Sequence, residues 1–134
     1  MFLLLVTTGL GLAFAWPHVN DVETGTTAAY PDLKPRTYDA SPERVYALAR
    51  ETAETSGGFR LSGHGFGPGG WSVQAVRTLW PLPLTCEDHV KITRHGSRTM
   101  VSVRSTSRWA KWDFGQNARN IRKFFGQLDD KLKS

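Results

Sequence analysis

The stretch from Val101 to Phe125, V-S-V-R-S-T-S-R-W-A-K-W-D-F-G-Q-N-A-R-N-I-R-K-F-F, changes its hydrophobic period partway along. Its first part alternates apolar and polar residues, as a half-buried strand does. Beyond the corner at Trp109 and Trp112, apolar residues return at helical spacing. A strand that feeds an amphipathic helix must find a common core for both apolar faces. That excludes all-helical and all-strand folds.

The strand has a partner immediately upstream. Asp88 to Arg94 and Thr99 to Trp109 read as a hairpin, because Gly96-Ser97 is a glycine-first pair suited to a two-residue turn. This turn predicts a register: Val90 opposite Val103, Ile92 opposite Val101, Asp88 opposite Ser105 and Glu87 opposite Thr106. The valines, the isoleucine, Asp88 and Ser105 then share the inner face. Glu87 falls on the outer face, diagonal to Arg104 and Arg108. The helix starts at Asp113, whose carboxylate can cap the first turn. Phe114, Ala118, Ile121, Phe124 or Phe125, Leu128 and Leu132 form its apolar stripe. Burying four of the large ones contributes roughly 6–12 kcal/mol gross. That equals a small domain's whole net stability of about 5–15 kcal/mol, so the sheet requires the helix.

Ser41-Pro42-Glu43 opens an earlier helix, with a capping hydroxyl, a first-turn proline and an acid at the positive end of the dipole. Val45, Leu48, Ala49 and Thr52 share one face, and Ser56-Gly57-Gly58 stops the run. Phe59–Phe66 and Trp71–Leu79 are strand-like, joined by Gly67-Pro68-Gly69-Gly70. Trp80-Pro81-Leu82-Pro83-Leu84 is an apolar loop, tucked onto the core or facing a partner or membrane. The order helix, four strands, helix predicts an α+β fold. Its expected architecture is a four-stranded antiparallel sheet with the N-terminal and C-terminal helices packed on one face.

The chain has 134 residues, enough for one small domain. Residues 1–16 read as a hydrophobic signal peptide or membrane anchor, 17–40 as an extended lead-in, and 41–134 as the single α+β domain. Phe2 to Trp16 carries no charge, but as a helix it spans only about 22 Å, short of the roughly 30 Å hydrocarbon core. It ends in Ala13-Phe14-Ala15, a small-x-small pattern suited to signal peptidase, although no Lys or Arg precedes it. No Lys or Arg occurs from Pro17 to Leu33 either, which favours export of the domain beyond it. The expected location is membrane-associated or extracytoplasmic, with membrane contact through residues 1–16 if they are retained.

The net charge of +5 is divided unevenly: six basic against nine acidic residues up to residue 90, then eleven against three. Arg119, Arg122 and Lys123 form an ordinary solvent stripe without interleaved aromatic residues, so nucleic acid is not an expected partner. The one cysteine, Cys86, excludes an internal disulfide. The histidines show no metal spacing, and neither a metal nor a cofactor is expected.

Residues 87–125 resemble the C-terminal part of the domain of unknown function 1499 family. The resemblance rests on Glu87-Asp88, on Arg104-Ser105-Thr106-Ser107-Arg108, and on Asp113-Phe114-Gly115-Gln116-Asn117 leading to Ile121. Asn20-Asp21-Val22-Glu23-Thr24-Gly25, Tyr30-Pro31-Asp32-Leu33 and the helix start between Tyr38 and Tyr46 extend it upstream. Glu87 stands where aspartate is usual, and Trp109-Ala110 where a smaller residue and glycine are common. The resemblance implies a bacterial or plastid-type domain, often behind a hydrophobic N-terminus, with no established chemistry.

One polar constellation emerges: Asp88, Arg104, Ser105, Ser107, Arg108, Asp113 and Asn117. As a structural network, Glu87 pairs with the arginines, Asp88 bonds the serines and Asp113 caps the helix. As an anion site, the arginines would stand beside the positive helix start. However, Arg104 and Arg108 lie about 13 Å apart along a strand, too far for both to close on one small anion. As a hydrolase, Ser105 or Ser107 would act with Asp88 on an ester or phosphoester, yet no histidine is placed to serve as base. The residues therefore point to a non-enzymatic binding or scaffolding module of the cell envelope, with an anionic ligand or envelope partner.

Overall fold

The computed structural model describes residues 20–55, 59–79, 84–108 and 115–133. The chain runs β1 (Asp21–Glu23), β2 (Arg36–Tyr38), α1 (Pro42–Thr55), β3 (Arg60–Gly67), β4 (Gly70–Leu79), β5 (Leu84–His95), β6 (Arg98–Arg108) and α2 (Gln116–Lys133). One sheet has the order β1-β6-β5-β4-β3, with β2 also on β6, and every ladder is antiparallel.

The α+β class and the antiparallel sheet are as expected, but the sheet has six strands rather than four. The two additional strands come from the segment read as an extended lead-in. At three residues each, they are too short to show a two-residue period. The free edge of β6 organises them: β1 pairs with Arg104–Thr106 and β2 with Thr99–Val101. Thr24 secures the first from both sides, its N–H donating to Val103 O at 3.0 Å and its Oγ1 accepting from Val103 N at 3.1 Å. Val22 is fully buried as a result.

The β5–β6 hairpin has the expected register, with Val90 opposite Val103, Ile92 opposite Val101, Asp88 opposite Ser105 and Glu87 opposite Thr106. Gly96 makes the turn at φ +61°, a value only glycine adopts without penalty. Strands β3 and β4 run closer together than expected, pairing through Gly67 and Gly70 so that Pro68-Gly69 alone makes the turn. Gly70 is indispensable there: its φ is +104°, and a Cβ would lie 2.3 Å from Ile92 O.

Ser41 caps α1, its Oγ accepting from Arg44 N at 3.2 Å. Val45, Ala49, Thr52 and Ala53 face inward. From α2, Ala118, Ile121, Phe124, Phe125 and Leu128 join the same core. Both helices pack on one side of the sheet and against each other. Strand alternation then divides the sheet: Val73, Ala75, Cys86, Val90, Ile92, Val101 and Val103 are buried beneath the helices, while Ser72, Gln74, His89, Lys91 and Arg104 face outward.

The expected N-terminal segment, the Gly57-Gly58 stop, the Trp80–Pro83 part of the apolar loop and the Trp109–Phe114 corner lie outside the described residues. None of the described helices is long and apolar enough to cross a membrane.

Candidate functional site

Strand alternation distributes the polar constellation over both faces of the sheet. Asp88, Ser105, Ser107 and Asn117 meet on the inner face under α2, all buried. Arg104 and Arg108 project from the outer face. Asp113 lies outside the described residues.

The inner set is a hydrogen-bonded seam. Ser105 Oγ donates to Asn117 Oδ1 at 2.9 Å. Asn117 Nδ2 donates to Ser107 Oγ at 2.9 Å and to Asn20 O at 3.0 Å. Ser107 Oγ stands 3.6 Å from Cys86 Sγ. One buried amide thus ties α2 to β6 and to the entry of β1, which is a positioning role rather than a reactive one.

Asp88 extends the seam to β5. Burial raises its carboxyl to about 6, against weaker opposing effects from the Ser105 hydroxyl and the Arg77 charge. Ser105 has one hydroxyl hydrogen, and its bond to Asn117 Oδ1 uses that hydrogen. That hydrogen cannot also hold a charged Asp88, so of the two opposing effects only the Arg77 charge remains. The geometry and the raised pKa agree on a carboxyl that resists ionisation.

The outer arginines are both engaged. Arg108 pairs with Glu87, the expected diagonal neighbour. Arg104 does not: its Nε and Nη2 donate to Asp21 Oδ1 and Oδ2 at 3.0 and 2.5 Å. The reason is β1, which brings a carboxylate diagonally across from Arg104. Sequence spacing offered no sign of it.

Sequence reasoning also missed the outer face itself. No described helix covers it, and it is hollowed to about 640 Å³. Two cross-strand rows floor the hollow, Ser72–Lys91–Ser102 and Gln74–His89–Arg104. On the β3 side the wall is low because Gly65, opposite Ser72, and Gly67 carry no side chain. The G-H-G-F-G repeat of β3 was the available sign: glycine at alternate positions leaves one face of a strand bare. Lys91 is exposed and forms no ion pair among the described residues. Among those residues, no three His, Cys, Asp or Glu side chains gather into a metal-binding group.

Three solved structures show remote similarity. CalU16 from Micromonospora echinospora is 10% identical, over 71% of this chain and 67% of its own, with a TM-score of 0.46. Protein CV1439 from Chromobacterium violaceum is 14% identical, over 86% and 99%, with a TM-score of 0.48. A protein from Nitrosospira multiformis is 11% identical, over 84% and 95%, with a TM-score of 0.47. Similarity at this level carries no function across. No curated protein matches the chain. The family model described as "Protein of unknown function (DUF1499)" matches residues 12–128. Its span takes in every described strand and most of α2, and the chain belongs to that family.

Proposed function

We propose that this protein is a non-enzymatic binding module of the cell envelope, exported or held at the membrane by residues 1–16. Its ligand seat is the bare sheet face, and its ligand is a small molecule bearing an anionic group. The observation that carries the reading is the hollow itself. Both described helices lie on one side of the sheet, leaving a hollow of about 640 Å³ on the other, within the size range of small-molecule sites.

The choice of an anion rests on charge and register. Arg104 and Arg108 are neutralised by Asp21 and Glu87, whereas Lys91 has no acid paired with it among the described residues. Ser72 and Ser102 stand directly opposite it on the two flanking strands. A lysine ammonium and two serine hydroxyls in one cross-strand row supply several hydrogen-bond donors for one carboxylate or phosphate.

A hydrolase built on Ser105 or Ser107 with Asp88 meets the opposite conditions. Ser105 is fully buried, its hydroxyl hydrogen is committed to Asn117, and no described histidine bonds to it. A nucleophile needs access and a base.

NMR titration with inorganic phosphate and with succinate tests the seat. The amides of Ser72, Lys91 and Ser102 should shift, and Lys91→Ala should abolish the shifts. Shifts confined to α1 and α2, or none at all, would refute the assignment. Fractionation of expressing cells, with sequencing of the mature N-terminus, tests the location. Recovery of the intact chain in the cytosol would end the envelope reading.

A further inference from the structure

We propose that Asp88 and Asn120 hold a single water molecule between them, buried where α2 packs on the sheet. Asp88 Oδ1 and Asn120 Nδ2 are fully enclosed polar atoms without a hydrogen-bond partner among the described residues. Their side chains are over nine-tenths buried, at 5% and 4% exposure, and both line one small cavity.

The chemistry of the two atoms is complementary. Asn120 Oδ1 accepts from Gln116 Nε2 at 2.8 Å, which sets the amide so that Nδ2 is the atom left to donate. Asp88 Oδ1 is an acceptor. A water molecule can accept from the first and donate to the second. It needs two to four polar partners and roughly 10–15 Å³ of space. The cavity has about 10 Å³ open to a water-sized sphere, room for one molecule and no more. Its other walls, Ala53, Phe59, Ala75, Val90 and Phe124, are apolar, so they neither compete for the water nor replace it.

The water completes the seam. Cys86, Ser107, Asn117, Ser105 and Asp88 already form a chain of polar contacts. The water carries it back to α2 at Asn120, one turn beyond Asn117. Two consecutive turns of the helix are then tied to β5 and β6 through polar groups, and the otherwise costly burial of Asp88 is offset.

A crystal structure of the full chain should show one ordered water within hydrogen-bond distance of both Asp88 Oδ1 and Asn120 Nδ2. A dry cavity, or the two side chains bonded directly to each other, would overturn the proposal. In solution, the Asn120 side-chain amide hydrogens should give a cross-peak to water with the sign of a molecule tumbling with the protein. Ala75→Val fills the cavity while keeping both polar partners, and it should remove that cross-peak. A cross-peak absent from the parent protein, or unchanged in Ala75→Val, counts against the water. If the variant fails to fold, the parent measurement still decides.

Discussion

Replacing Asp88 with Asn should stabilise the protein at neutral pH, and the gain should vanish in acid. An acid held at about 6 in the fold against an ordinary 3.8 costs the folded state about 3 kcal/mol once it is charged, at 1.36 kcal/mol per pH unit. Between pH 4 and 6 the folded state binds more protons at this position than the unfolded chain. The stability contributed by the neutral acid is therefore present below about pH 4 and is lost as pH rises through 6. Burial is the leading cause, opposed by the charge of Arg77 from β4. The variant keeps the shape and neutrality of the protonated acid, and its amide can still donate to Ser105. Urea denaturation of both proteins at pH 4, 5, 6, 7 and 8, read by tryptophan fluorescence, gives the difference directly, and all other carboxylates cancel. Asn minus Asp should rise from near zero at pH 4 to as much as about 3 kcal/mol above pH 7. A difference that stays flat across the range, or one that falls as pH rises, would show that Asp88 ionises freely and refute the argument.

The packing sets two further outcomes. Asn117→Ala strips partners from Ser105, Ser107 and Asn20 O and should lower stability by at least about 2 kcal/mol, read as a lower urea midpoint with an unchanged slope. Gly70→Ala forces a Cβ against Ile92 O at a φ of +104° and should cost more than about 2 kcal/mol. Gly65→Ala, with nothing within 4 Å of the added carbon, should stay within about 0.5 kcal/mol of the parent. Equal melting temperatures for the two glycine variants would contradict the close approach of β4 to β5 at Gly70.

How much could be read in advance depends on the range of the forces involved. A glycine-first turn and a two-residue alternation are local, so Val90–Val103, Ile92–Val101 and the inward placement of Asp88 and Ser105 were legible in the sequence alone. The apolar stripe of α2 and the Ser41 cap of α1 belong to the same class, because helical spacing and capping involve neighbours within four residues. Strands β1 and β2 were not legible: three residues carry no period, and both depend on an edge of β6 more than 60 residues away. The partner of Arg104 was hidden for the same reason, since Asp21 reaches it only through that pairing. The acidity of Asp88 needed the tertiary structure as well. Its inward direction came from alternation, but desolvation depends on Phe124, Asn120, Ala53 and Phe59 closing over it. The hollow, uncovered by any described helix, arises because both described helices choose the other side of the sheet. Local periods determine which side chains share a face, while only the assembled fold determines what, if anything, covers that face.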